Sequence, residues 1–281
     1  MTELEYRLTN DILFKMLFVK NPGLLESLVA ELLGIPQGSI GELVVTNSEM
    51  TAEIVGSKFC RLDINMTVDG RHVNLEIQVK DEGNYPERTL FNWARVYSAA
   101  LKSGNDYSML PRTVVVSIVG FRLFGCAEYH SEYQALEVTR HTPLSDRLCL
   151  HYFELSKLPE EIDGDNLLEL WLGLFKAKTE EELAKIEALE VPVMKQAIEA
   201  YKTVSASPEF LELERMRAKA RNDEAQALHN ARLEESKRWL AVVENKDIEL
   251  ADKDAAIAGK DAAIADKDAL IAELRARLGE E

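Results

Sequence analysis

Asp63, Glu76, Gln78 and Lys80 are the residues whose types and spacing could do chemistry. Glu76, Gln78 and Lys80 alternate along one stretch, so as a strand they project from one face. Asp63 lies upstream, separated from Glu76 by twelve residues that contain Asp69-Gly70. That dipeptide is a preferred two-residue hairpin turn, because both central positions must tolerate positive φ. With the turn there, Asp63 faces Glu76 and Arg61 faces Gln78 across two antiparallel strands. Leu62, Ile64, Met66 and Val68 then share an inner face with Arg71, Val73, Leu75 and Ile77. Asp63, Asn65 and Thr67 share the other face with His72, Asn74 and Glu76. A slip of one residue would move both acids onto the apolar side, so the register is well specified.

Directly opposed side chains sit roughly 4.5–5.5 Å apart at Cβ. Two carboxylates at that spacing repel, and a divalent metal, a raised pKa on one acid, or Arg61 would offset the cost. Two carboxylates and a backbone carbonyl make a hard oxygen site suited to Mg²⁺, with Mn²⁺ as an alternative. Such an ion can grip a phosphate and activate water, while Gln78 or Lys80 orients that water. The bland alternative is a half-exposed hairpin with a wet polar face.

Several elements must position these residues. Thr9, Asn10 and Asp11 can cap a helix through ILFKMLF, and Pro22 opens a second helix ending at Gly34. Residues 40–46 read as a first strand ahead of the hairpin. A helix is expected from Glu87 to Ser103, stopped by Gly104. Leu90, Ala94, Tyr97 and Leu101 would form its buried apolar face. Arg88, Asn92, Arg95, Ala99 and Lys102 share another face, a cationic stripe that contacts phosphate or is simply solvated. Residues 112–120 form a buried strand, two more strands fall near 129–138 and 147–154, and helices continue to about 204. The order is that of an α/β layer architecture.

The chain has 281 residues and a net charge of −16, with −11 before residue 208 and −5 from there on. Such an acidic chain binds nucleic acid only through a local basic surface or bound metal. Cys60, Cys126 and Cys149 lack close spacing, which suggests buried thiols in a reducing compartment, not a disulfide frame or zinc site. The five histidines also lack metal spacing, and no glycine loop fits a phosphate cradle. The first residues do not resemble a secretory signal, and no apolar run approaches bilayer length, so a cytoplasmic location is expected. We expect a domain over residues 1–207 and a charged helical extension over 208–281. From 245 a seven-residue repeat places Leu250, Ile257, Ile264, Ile271 and Leu278 on a thin seam. The extension either zips with copies of itself or stays a single solvated helix.

NDILFKMLF near the start, Asp63, twelve residues, Glu76-Ile77-Gln78, and then PERTLFNWARVYSAALKSGNDYSMLPRTVVVSI resemble the Rpn family. These are recombination-promoting nucleases, often described as transposases, within the PD-(D/E)XK nuclease superfamily. The resemblance spans roughly residues 6–205. It implies an αβββαβ core with a mixed sheet, Asp63 and Glu76 as metal-binding acids, and Gln78 where the superfamily usually carries Lys. It also makes Asp11, on the first helix, a candidate metal ligand; a helix cap paired with Lys15 is the plainer reading. The implied function is metal-dependent endonucleolytic cleavage of DNA, in recombination or transposition. The alternative is a catalytically degenerate module that binds nucleic acid or protein and assembles through its helical tail.

Overall fold

In the computed structural model, residues 2–47, 63–101, 104 and 106–279 are described. Six strands form one mixed sheet in the order β1-β2-β3-β4-β6-β5. They are β1 (Leu43–Val45), β2 (Ile64–Val68), β3 (Arg71–Gln78), β4 (Thr113–Val119), β5 (His130–Leu136) and β6 (Pro143–Glu154). β3, β4 and β6 run parallel to their neighbours in that series, and the remaining pairings are antiparallel. The helices are α1 (Asp11–Lys20), α2 (Pro22–Leu33), α3 (Tyr85–Ala99), α4 (Leu167–Lys176), α5 (Glu180–Glu187), α6 (Pro192–Ser205) and α7 (Pro208–Leu278).

The hairpin has the expected register. Ile64 pairs with Leu75, Asn65 with Asn74 and Met66 with Val73, which sets Asp63 opposite Glu76 at the next step. Asp69 and Gly70 both take positive φ, at 45° and 74°, as a right-twisted two-residue turn requires. Asp69 Oδ1 also accepts hydrogen bonds from the backbone N–H groups of Gly41 and Glu42, tying the turn to the entry of β1.

One face of the sheet carries the main core. Ile64, Met66, Val73, Leu75, Val116, Ile118 and Phe153 pack there with Phe14, Phe18, Leu28, Trp171, Phe175 and Ile198 from the helices. β4 is buried along its whole length, as a central parallel strand covered on both faces must be. α1 starts on an Asn10 cap, whose side chain accepts from Leu13 N–H, and α2 ends at Gly34 in the left-handed region (φ 62°).

The other face is covered by α3. Here the expected orientation is reversed. Leu90 is 47% exposed and Phe91 66% exposed, whereas Thr89 and Asn92 are buried and Arg88 is nearly so. The reason lies in the opposing surface: α3 meets the hairpin's polar residues, so Arg88 and Asn92 of the polar stripe turn inward, while Arg95 and Ala99 stay exposed. Tyr85 and Trp93 supply the apolar anchorage. Tyr85 packs edge-on to Phe121 and Tyr152, and Trp93 Nε1 donates to the Thr113 carbonyl at 3.0 Å. α3 also begins two residues earlier than expected, on Tyr85-Pro86, and ends at Ala99.

Two compact units divide after Ala220. α7 begins at Pro208, where the composition changes, and its first turns belong to the first unit: Phe210, Leu213 and Arg217 are buried. In the second unit, Leu250, Ile257, Ile264 and Ile271 are all exposed. Among the described residues no helix is long and apolar enough to cross a membrane.

Candidate active site

The polar face of the hairpin is the floor of a cleft of about 940 Å³, not a wet surface. Asn74 and Glu76 on β3 are only 4% and 6% exposed. The cleft is lined by Asp63, Asn65, Asn74, Glu76 and Gln78 from the hairpin, Asn47 after β1, Asp11 from α1, and Arg88, Phe91, Asn92 and Arg95 from α3. Four acids, Asp11, Asp63, Glu76 and Glu82, from three separate stretches of the chain therefore reach one cavity.

Asp63 is held by a network of asparagines. Asn74 Nδ2 donates to Asp63 Oδ2 and, at 2.8 Å, to Asn65 Oδ1. Asn47 spans the Asp63 and Asn65 backbones, donating from Nδ2 to the Asp63 carbonyl at 2.8 Å and accepting from Asn65 N–H at 2.7 Å. These contacts fix the Asp63 carboxylate just beyond the end of β2, where ladder pairing has stopped. Asn74 Oδ1 is left buried with no hydrogen-bond partner. An unmet acceptor costs about 1–3 kcal/mol unless water or a cation satisfies it.

Glu76 meets Arg88, whose Nη2 lies 3.1 Å from Glu76 Oε1 while Nη1 lies 2.7 Å from Glu82 Oε2. The guanidinium also stands over the Tyr85 ring, 4.7 Å from its centroid. Burial, and then the charge of Glu76, push the Tyr85 phenol well above its ordinary value, so it remains a neutral hydroxyl. Arg88 thus compensates Glu76, a part the sequence left open among metal, pKa shift and Arg61. Arg61 lies outside the described residues, as does Lys102.

The remaining sequence candidates divide. Gln78 lines the cleft and donates from Nε2 to the Lys80 carbonyl at 2.8 Å. Lys80, expected on the same face, lies past the end of β3, exposed and off the cleft lining. Strand alternation stops at Gln78, so its rule no longer sets where Lys80 points. Asp11 lines the cleft but is ion-paired to Arg217 Nη1 of α7, and its Oδ1 also accepts from Ile12 N–H. The capping role falls to Asn10. Arg95 is exposed on the cleft lining.

Asn65 and Asn74 are functional candidates that could have been found from sequence, since the same register opposes them on the polar face. Asn47 and Arg217 carry no such signal. The Asp63, Glu76 and Asn74 oxygens are hard donors, and one is an orphaned buried acceptor, so the set fits a Mg²⁺-class ion and not a soft metal.

No curated protein and no solved structure matches this chain. A family model described as PD-(D/E)XK nuclease family transposase matches residues 8–231, which takes in the sheet, the cleft and the first turns of α7. The chain belongs to the PD-(D/E)XK nuclease family transposases.

Proposed function

We propose that this chain is a DNA endonuclease that hydrolyses phosphodiester bonds with Mg²⁺, or Mn²⁺ in its place, and serves DNA recombination or transposition in the cytoplasm. The observation that carries the proposal is the Asp63–Glu76 opposition on the floor of a cleft whose opposite wall bears Arg88 and Arg95. Asp63 and Glu76 would hold the ion, with Asn74 fixing the Asp63 carboxylate and offering its own free oxygen. Bound there, a divalent ion supplies Lewis-acid polarisation of a phosphate oxygen and a lowered pKa for water. The Gln78 amide positions the attacking water. Arg95 attracts the phosphate backbone, and Arg88 holds Glu76 in place through its ion pair. Asp11 stands in reserve at the rim, its charge shared with Arg217.

A plasmid-nicking assay with Mg²⁺ tests this reading. Wild-type chain should nick supercoiled DNA, and Asp63→Ala and Glu76→Ala should each lose that activity by a factor of 100 or more, about 3 kcal/mol of transition-state stabilisation. Equal nicking by all three proteins would remove these residues from the chemistry. A second reading has its own support. The Arg88–Glu76 ion pair and the amide at position 78 also suit a domain that has kept the fold and binds nucleic acid or protein without cutting. Calorimetric titration separates the two: a Mg²⁺ site abolished by Glu76→Ala supports the nuclease, and no binding at millimolar Mg²⁺ supports the binding module.

A further inference from the structure

A second cluster of ligating side chains lies on the opposite face of the same sheet. The register runs from Leu75 to Val116 to His151 along one row and from Glu76 to Ser117 to Tyr152 along the next. His151 and Cys149, two apart on β6, therefore share the face of Leu75, turned away from the cleft. Glu132 on β5 is paired with His151, and Gln134 with Cys149. Cys149 Sγ lies 3.1 Å from His151 Nε2 and 3.4 Å from Glu132 Oε1. One ligand atom from each of the three residues falls within 4.8 Å of the others. On the far side of the ring, His151 Nδ1 is 3.0 Å from His130 Nε2, and the two imidazoles are stacked 12° from parallel. His130 is itself stacked on Phe153, at 4.4 Å and 3°.

The thiol proton faces an imidazole nitrogen and a carboxylate oxygen, while Gln134 Nε2 donates to the same Glu132 oxygen at 2.5 Å and the Arg112 guanidinium to the sulfur. With its proton on Nδ1, directed at His130, His151 presents a bare Nε2 to the cluster. A ligating histidine commonly has its other nitrogen oriented by a fixed partner in this way. Burial holds the His151 imidazole neutral, as ligation requires. It also pushes the Cys149 thiol up to about 11, while the Arg112 guanidinium beside it works the other way. Around a tetrahedral Zn²⁺, with bonds of about 2.0–2.3 Å, ligand atoms lie roughly 3.5 Å from one another. The Cys149 sulfur already stands close to that spacing from both other ligand atoms. Cys149 and His151 are buried and Glu132 is exposed, so an ion would enter from the Glu132 side.

We infer that Glu132, Cys149 and His151 form a binding site for a thiophilic divalent cation, Zn²⁺ by ligand chemistry, with His130 as the residue that orients His151. Thiolate and imidazole donors distinguish it from the all-oxygen cleft. The ion would clip the edge strand β5 to β6 at their last regular pairs, just before the register shifts at Gln134/Ala135. Three protein ligands leave the fourth position to water.

Cobalt substitution in the full chain, stripped with chelator, is the test. One equivalent of Co²⁺ should produce a thiolate-to-cobalt charge-transfer band together with the intense visible bands of a tetrahedral ion. Zn²⁺ should displace it and raise Tm. Cys149→Ser should abolish the charge-transfer band, and an Asp63→Asn/Glu76→Gln double variant should keep it. His130→Gln should weaken Zn²⁺ binding by about 10–100-fold. Absence of the band in wild type, or its persistence in Cys149→Ser, would overturn the site. Should Cys149→Ser fail to fold, Glu132→Gln, at an exposed position, decides: Zn²⁺ affinity equal to wild type refutes the assignment, and weakened affinity upholds it.

Discussion

Replacing Arg88 by Met isolates the charge balance on which the cleft depends. The substitution keeps most of the side-chain volume and removes the guanidinium. The pair with Glu82 contributes little, since that acid is 53% exposed and exposed pairs are worth at most about 1 kcal/mol. Glu76 dominates. Its side chain is only 8% exposed, and deleting one partner of a buried pair costs about 3–5 kcal/mol. The cleft admits water on one side, which places the expected loss near the lower end, about 3 kcal/mol. Urea unfolding followed by circular dichroism in chelator would measure it. Adding Mg²⁺ should then stabilise Arg88→Met more than wild type, because the guanidinium no longer competes with the ion for the Glu76 carboxylate. At 100 times Kd the gain is about 2.7 kcal/mol, nearly the whole deficit. A Glu76→Gln/Arg88→Met double variant should recover most of the loss in chelator and gain little from Mg²⁺. Arg88→Met as stable as wild type, or a double variant no better than the single one, would refute the argument that Arg88 balances Glu76. Equal Mg²⁺ stabilisation of Arg88→Met and wild type would show that arginine and ion do not compete for one carboxylate.

Other outcomes follow from the same structure. Gln78→Ala should lower nicking activity by about 10–100-fold while Lys80→Ala leaves it near wild type, since only Gln78 lines the cleft; the reverse result would restore the lysine to the site. Burial lowers His151 to about 4 from an ordinary 6.5, so between these values the unfolded chain binds the extra proton. Stability of the metal-free chain should therefore fall as pH drops from about 6.5 to 4, by up to about 3 kcal/mol, and His151→Gln should flatten that stretch of the curve. If the exposed seam of Leu250, Ile257, Ile264 and Ile271 zips with other copies, light scattering should give a multiple of the chain mass that falls to one chain on removal of residues 245–281. A mass per particle unchanged by the deletion would eliminate assembly through this segment.

The elements were legible where local rules act alone. Period-2 alternation around Asp69-Gly70 specified both strands and their register, because any slip would bury carboxylates among Ile64, Met66 and Leu75. Asn10, Pro22 and Gly34 marked helix ends through capping and φ requirements that depend on a few neighbours. The grouping of Glu132, Cys149 and His151 went unread for an instructive reason. Cys149 and His151 are two apart, which on a strand places them side by side, but neither carries the helical or knuckle spacing usually read as a metal motif. Glu132 and His130 reach them only through the β5–β6 pairing, and that depends on a strand whose polar, half-exposed sequence does not announce its partner. The expectation of buried thiols also failed at Cys126, which is exposed.

The reversal of α3 shows where sequence reasoning loses its footing. Periodicity divided the helix correctly into an apolar stripe and a cationic one, and then assigned the apolar stripe to the interior because burial of apolar area usually dominates. That inference assumes an apolar surface to pack against. Here the sheet presents Asn74 and Glu76, and an apolar face laid over them would take Arg88 away from a buried carboxylate, at a cost exceeding the roughly 1.5–3 kcal/mol gained by burying one leucine. Turning Arg88 and Asn92 inward supplies a partner for Glu76 and a polar wall to the cleft, and leaves Leu90 and Phe91 in water. The orientation of the helix is thus a consequence of the acids on the hairpin. A chain with Glu76 and Asn74 replaced by apolar residues of similar size should favour the opposite rotation, with Leu90 protected and Arg88 exposed to solvent, a change that hydroxyl-radical footprinting at Leu90 and Phe91 would register directly.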